Sequence, residues 1–460
     1  MMLRVGSLAA FAVLLLSVCG QPEDVPEVVV LQANRKLAWK TNNANEGPSN
    51  VQPEQIHLAY SGDPSKYTVT WITFEDPGTS FVEYGQSELF GVQAAAQITR
   101  FRESIFHAYR FVHRAEIRDI QPGKKYYYRV GSEYGFSNVF SFTGLQPRQE
   151  GGYRFLVYGD FGLKNARSLG RVQNYTQFGE FDMALHVGDF AYDMQNDFAN
   201  RGDEFFRQIE PIAARIPYMA LPGNHEASSN FTQYRNRFTM PGNTEGIFYS
   251  FDVGQVHFVA FSTEIYYSYN ADDQLKAQFN WLKEDLTAAN RNRAQVPWIV
   301  AMGHRPMYCT TFDILFSECN SADVRFRVGM GKNKDYALEP LFFNQGVDLI
   351  VEGHEHNYER LYPIYNQKLY KGTSDALNPN NNPGAPIHVI TGSAGCQENI
   401  DSFTPAADYD AARSTNYGFS TMHVFNSTHL LWQQIRASDG VVEDTFLLVK
   451  NSHGPFTEQK

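Results

Sequence analysis

Two patterns of apolar and polar positions divide this chain. From about Gln55 to Gly144, short β-type runs follow one another: IHLAYS, YTVTWITF, SFVEYG, YRFVHRAEI, YYYRVGS and VFSFTG. Turn residues separate them and no long helical stripe intervenes, a pattern that predicts an all-β sandwich. After Gly151 the pattern changes to apolar strand runs ending in glycine or polar residues: YRFLVYGD, DMALHVGD, PYMALPGN, VPWIVAMGH, VDLIVEGH and APIHVITGS. Helical stretches alternate with these strands. The clearest, DDQLKAQFNWLKEDLTAANR, sets Leu275, Phe279, Leu282 and Leu286 on one face, which reads as core. Strands alternating with helices predict an α/β layered domain with β-sheets flanked by helices. The C-terminal runs STMHVFN and DTFLLVK are expected to complete its sheets, and LNPNNNPG at 377–384 reads as a surface loop.

Residues 1–20, MMLRVGSLAAFAVLLLSVCG, have a basic start, an apolar run and small residues at the end, the pattern of a secretory signal peptide cleaved after Gly20. Its apolar core is too short to span a membrane comfortably, and no other span or membrane anchor is evident. The expected organisation is a signal peptide at 1–20, a polar leader at 21–50, a β-sandwich at 51–146, an α/β domain including the C-terminal strands at 151–450 and a tail at 451–460. Within the sandwich, IRDIQPGKKYYYRVG at 117–131 resembles the turn-and-tyrosine signature of fibronectin type III domains.

Composition narrows the function. A length of 460 residues exceeds one compact domain, and 43 % hydrophobic with 19 % charged residues is ordinary for a globular protein. A formal charge of −11 argues against nucleic-acid binding, and it leaves any affinity for phosphate to a local positive centre. Without Cys19, three cysteines remain. Cys309 and Cys319 enclose the short segment CTTFDILFSEC and are expected to form a disulfide in an oxidising compartment. Cys396 is left either buried or paired with another chain. The sequons at Asn174, Asn230 and Asn426 fit a glycosylated product that is secreted or lysosomal. Whether the protein is a monomer or a homodimer stays open.

The strand ends carry a consistent chemistry. YGDFG supplies Asp160, VGDFAYD supplies Asp189 and Tyr192, PGNHE supplies Asn224 and His225, VAMGHRP supplies His304, and EGHEH supplies His354 and His356. In α/β folds, functional groups gather at the carboxyl ends of strands, and the neighbouring glycines allow a sharp turn there. Residues two apart in extended backbone point to the same side, so His354 and His356 are expected to share a pocket. Oxygen and imidazole donors suit divalent and trivalent transition metals. Asp160, Asp189, Tyr192, Asn224, His304, His354 and His356 exceed what one ion with an open position needs, and they match two ions sharing a carboxylate. His186 and His257, inside strand runs, read as packing residues.

The blocks GDFG, GDFAY, GNHE, VAMGH and GHEH, in this order, resemble those of the metallophosphoesterases and specifically of purple acid phosphatases. The resemblance covers nearly the whole chain after residue 20 and implies the larger-enzyme layout: a fibronectin-like domain before a calcineurin-like catalytic domain. It implies that Asp160, Tyr192 and His356 hold Fe(III), that Asn224, His304 and His354 hold a divalent ion (Fe, Zn or Mn), and that Asp189 bridges them. It further implies hydrolysis of phosphate monoesters by metal-activated hydroxide, with His225 binding a phosphate oxygen or protonating the leaving group. Most metallophosphoesterases have a histidine two residues after the first aspartate, where this chain has Gly162; Tyr192 takes its place as a ligand. A phenolate is a hard anionic donor that favours Fe(III), and the acidity of a trivalent ion's water predicts an acidic optimum. Tyr358 and Arg360 match the family's YER and read as structural supports. The chain departs from plant-type members, which carry further histidines beyond the one at position 304, where this chain has CTTFDILFSEC. Two other readings are a phosphodiesterase or nucleotidase on the same fold, and a glycosylated binding protein on a degenerate scaffold. The latter predicts a lost ligand, and none is lost.

Overall fold

The computed structural model describes residues 49–102, 109–146, 151–268, 271–312, 319, 321, 324–372 and 378–458. The signal peptide, nearly all of the polar leader, and residues 313–318 between the two cysteines lie outside them.

The first part is a two-sheet β-sandwich. One sheet orders its strands Glu54–Tyr60, Tyr67–Thr73, Arg110–Ile117 and Gln97–Phe101. The other is built on Phe81–Gly85 and Lys125–Ser132, with Val92–Ala95 and Phe140–Thr143 at its sides. Alternating residues of both sheets meet in a core that includes Leu58, Val69, Trp71, Tyr128 and Val130. Tyr126 closes the turn flagged in the sequence: its hydroxyl accepts the Gln121 N–H at 3.0 Å and donates to the Asp119 carbonyl at 3.3 Å. The strands outside the expected runs include two at sheet edges. Val92–Ala95 and Gln97–Phe101 are largely exposed, so they lack the buried alternation by which a strand is read.

The catalytic part faces two mixed sheets. The six-stranded sheet runs Tyr218–Leu221, Met183–Val187, Tyr153–Tyr158, Gly418–Val424, His429–Arg436 and Val442–Val449. Its first three strands are parallel, and the C-terminal runs complete it as antiparallel neighbours. The seven-stranded sheet contains the parallel set Val256–Ala260, Trp298–Met302, Leu349–Glu352 and Ile387–Thr391. These parallel strands are buried along their whole length, which is why they read as continuous apolar runs. Helix Asp272–Arg291 buries Leu275, Leu282 and Leu286, with Phe279 packed partly buried against the core. The stretch read as a surface loop sits deeper: Asn380 is buried and Asn381 bridges to Val449.

The sandwich is fastened to the catalytic part through a buried ionic cluster. Asp203, on helix Asn200–Ala213, binds Arg110 at 2.7 Å and Arg237 at 2.8 Å. Gln55 completes the cluster by donating to Asp203 and accepting from Arg237. The same helix begins just past the loop that carries Tyr192, and Arg201 on it donates to the Tyr192 carbonyl at 2.5 Å. Among the described residues, no helix is long and apolar enough to cross a membrane.

Candidate metal centre and active site

Each of the five motif blocks leaves the carboxyl end of a strand, and the two parallel sets bring those ends together. Asp160 follows Tyr153–Tyr158, Asp189 follows Met183–Val187, and Asn224 follows Tyr218–Leu221. From the other sheet, His304 follows Trp298–Met302, and His354 follows Leu349–Glu352.

The backbone solution differs from the expected one. The strand ends at Glu352 and residues 353–357 form a bend, so His354 and His356 do not share the pocket through extended periodicity. Asp160, Asp189, Tyr192 and His354 themselves take left-handed conformations, with φ of 57°, 54°, 54° and 69°. Such backbone strain, on residues other than glycine, gathers at sites that the surrounding structure holds in place. Two of the glycines serve a different need, which is space. A Cβ on Gly223 would lie 2.2 Å from Asp189 Oδ1 and 2.7 Å from His304 Nε2; one on Gly353 would lie 2.6 Å from Asp160 Oδ2.

The seven candidate ligands fall into two groups. In one, the Tyr192 hydroxyl lies 2.9 Å from His356 Nε2 and 3.4 Å from Asp160 Oδ1, with His356 Nε2 3.5 Å from Asp160 Oδ1. In the other, His304 Nε2 lies 3.0 Å from Asn224 Oδ1 and 3.2 Å from Asp189 Oδ2. Ligand atoms of Asp189, His304 and His354 all fall within 4.8 Å of one another. The charge of Asp189 acts on both groups, on Tyr192 and Asp160 as well as on His304.

These donors fit cations. His304 Nδ1 lies 2.8 Å from the Val187 carbonyl, which fixes a proton there and turns the Nε2 lone pair toward two oxygen acceptors. With His304 neutral, three acceptors converge with no hydrogen between them, an arrangement that a metal ion relieves. The titration of the group agrees. Burial opposes a charge on His304, yet the Asp189 carboxylate pushes its pKa up to about 10, so a proton balances the pocket when no metal does. Burial and the Asp160 and Asp189 charges hold the Tyr192 phenol well above its ordinary range. Ionising it therefore requires a nearby cation of high charge. Metal uptake at such a site releases protons.

A cavity of about 390 Å³ opens over the centre, lined by Asp189, Asn224, His225, Arg305, His354 and His356, with Glu398 and Asp401 at its acidic edge. The His225 ring packs at a tilt of 49° against Tyr192 with ring centroids 4.5 Å apart, and its Nδ1 pairs with Asp193 at 3.1 Å. Burial opposes its cationic form, but Asp189 and the Asp193 hydrogen bond outweigh that and push its pKa up to about 9.

Several contributors escaped the sequence reading. Glu226, the last residue of PGNHE, is buried and accepts the backbone N–H groups of Asp189, Phe190 and Gly223 at 2.9, 3.1 and 2.9 Å, tying two ligand loops together. Arg305 and Asp193 adjoin ligands in sequence, which is the one signal that could have found them. Cys396 is buried and unpaired; its Sγ lies 3.1 Å from His356 Nδ1. Glu398 and Asp401 carry no local sequence signal. Tyr358 and Arg360 point away from the centre and both bind Asp444, at 2.7 Å for each nearest contact. His186 is buried against aromatic rings and Tyr218, as a packing residue would be. His257 instead pairs with Asp252 at 2.7 Å and Asp285 at 2.9 Å, which revises its reading as a packing residue. Cys309 and Cys319 are joined as a disulfide. Asn174, Asn230 and Asn426 are all exposed.

The architecture and donor set define a calcineurin-like phosphoesterase. The family model described as Calcineurin-like phosphoesterase matches residues 153–358. The Purple acid Phosphatase, N-terminal domain matches 53–144, and the Iron/zinc purple acid phosphatase-like protein C matches 385–445. A Danio rerio protein, acid phosphatase type 7, is 44 % identical over 419 residues, covering 89 % of this chain and 94 % of that protein. The Mus musculus acid phosphatase type 7 is 44 % identical over 414 residues, covering 88 % and 93 %. An Allium cepa phosphoenolpyruvate phosphatase is 29 % identical, covering 84 % and 79 %. Among solved structures, the purple acid phosphatase from yellow lupin (Lupinus luteus) seeds shares the fold with a TM-score of 0.73 at 23 % identity, covering 86 % of this chain and 74 % of that one. The chain belongs to the purple acid phosphatase family, and it is a hydrolase with a candidate binuclear metal site.

Proposed function

We propose that the protein hydrolyses phosphate monoesters at acidic pH, at a centre that holds one Fe(III) and one divalent ion (Fe, Zn or Mn). The observation that carries this reading is the convergence of the Tyr192 phenol, Asp160 and His356 within 3.5 Å. An anionic phenol donor selects a hard trivalent ion. Asp160, Tyr192 and His356 would hold the ferric ion, Asn224, His304 and His354 the divalent ion, with Asp189 between them. When bound, the ion pair supplies the Lewis acidity that generates a nucleophile from water and neutralises charge on the phosphoryl oxygens.

The remaining roles belong to side chains. Asp193 accepts from His225 Nδ1 and so directs the Nε2–H into the cavity. With its pKa up at about 9, His225 holds that proton throughout acidic solution and presents it to a phosphate oxygen or to the departing alkoxide. Glu226 keeps the Asp189 and Asn224 loops in register while this occurs.

The names of the two animal relatives, acid phosphatase type 7, support the monoesterase reading. For location, the pattern of residues 1–20, the three exposed sequons and the disulfide support a glycosylated protein that is secreted or lysosomal. Comparing an aryl phosphate with the corresponding diester tests the reaction. Faster turnover of the monoester is expected; preference for the diester would replace this reading with a phosphodiesterase.

A further inference from the structure

Arg305 directly follows His304, yet its side chain is engaged elsewhere. Its Nε lies 2.9 and 3.0 Å from the two carboxylate oxygens of Glu264, which is itself buried. The Tyr267 ring covers the guanidinium at 4.7 Å, and the Arg305 backbone N–H donates to Thr263 Oγ1 at 3.0 Å. Thr263 in turn donates to Glu264 at 2.9 Å. The Nε edge is therefore fixed on the side away from the centre. On the other side, NH1 lies 3.1 Å from His354 Nε2, and the residue lines the cavity with its side chain 16 % exposed.

We propose that Arg305 binds a non-bridging oxygen of the substrate's phosphoryl group. This rests on the phosphatase reading above. His225 stands on the Tyr192 side of the cavity and Arg305 on the His354 side, so a tetrahedral anion held in the cavity meets a nitrogen donor on each side. The other charged side chains lining the cavity, Asp189, Glu355, Glu398 and Asp401, are acidic, and the chain as a whole carries −11. An anionic ester that enters past them needs a fixed positive group at the reacting end. Guanidinium suits that task because its planar fork matches phosphate oxygens and it keeps its charge across the working pH range. Glu264 and Tyr267 hold the guanidinium before substrate arrives, so little ordering is left to binding.

The test uses the metal-loaded protein and inorganic phosphate, whose affinity is read by calorimetry without turnover. Arg305→Ala is expected to raise the phosphate Kd at least tenfold and to raise KM for an aryl phosphate, with metal content and visible spectrum unchanged. Arg305→Lys keeps the charge but cannot hold Glu264 and phosphate together; a rise of about threefold or more is expected, smaller than for alanine. An unchanged Kd in both variants overturns the proposal. So does a loss of affinity that tracks loss of metal, which would make Arg305 a support for His354. Should the alanine variant fail to fold, the lysine variant decides by the same criteria. If the unaltered protein cleaves no monoester, the phosphatase reading fails, while the Kd comparison still reports on Arg305.

Discussion

The phenol oxygen of Tyr192 and Nε2 of His356 meet at 2.9 Å, although 164 positions separate them in the chain. One comes from the loop after a strand of the six-stranded sheet, the other from a bend at the end of a strand in the seven-stranded sheet. Asp160 lies within 3.5 Å of both. Tyr192→Phe removes the hydroxyl and keeps the ring that packs against His225. The expected outcome is loss of the visible absorption band, a lowered iron content, and at least about a 100-fold fall in turnover, since even outer partners of metal ligands are worth 10- to 100-fold. Absorption spectroscopy with an aryl phosphate assay checks it.

The His225 side chain is assigned to neither metal, although its backbone N–H donates to Asp189 Oδ1 at 3.0 Å, and the residue lines the cavity with its cationic form favoured by Asp189 and Asp193. His225→Ala is expected to lower kcat by about 10²- to 10⁴-fold, the range for a positioned acid. Metal content should not change. Equal turnover in the variant and the unaltered protein removes His225 from the reaction.

Asp203 is buried between Arg110 of the sandwich and Arg237 of the catalytic part, and both guanidiniums are buried with it. Asp203→Ala leaves two buried cations without their carboxylate. Breaking a buried pair in this way costs about 3–5 kcal/mol. A lowered urea midpoint, with the metal ligands untouched, is the expected result.

His257 gives the stability a pH dependence. Burial opposes its charge, but hydrogen bonds to Asp252 and Asp285 outweigh that and raise its pKa from 6.5 to about 9. A base whose folded pKa is raised stabilises the fold fully below its unfolded value and ceases to do so as pH rises through the folded value. The contribution is therefore complete below about pH 6.5 and fades by about pH 9. At ~1.4 kcal/mol per unit it is worth about 3 kcal/mol. His257→Gln should lower the urea midpoint at pH 5 and have little effect at pH 10, as denaturation at the two pH values will check.

Much of this was legible in the chain because buried parallel strands leave a plain record. Met183–Val187, Trp298–Met302 and Leu349–Glu352 are apolar throughout, and each ends at the residues that carry the chemistry. The seven candidate donors could be named for that reason. Their geometry could not. Nothing local announces that Tyr192 or His354 adopts a left-handed backbone, because contacts with distant loops impose it. The expected sharing of a pocket by His354 and His356 holds through a bend rather than through strand alternation. Val92–Ala95 and Gln97–Phe101 went unread because these edge strands are largely exposed and show no full buried alternation. Arg305 and Glu226 sit beside ligands in sequence, but their partners Glu264 and Asp189 are tens of positions away, beyond any spacing rule.

Elemental analysis of purified protein, together with its absorption spectrum under oxidising conditions, tests the centre most directly. Two metal ions per chain are expected, one of them iron, with a violet colour that Tyr192→Phe abolishes. A single ion per chain, or a fully loaded and oxidised protein without colour, would contradict a ferric ion held by Tyr192.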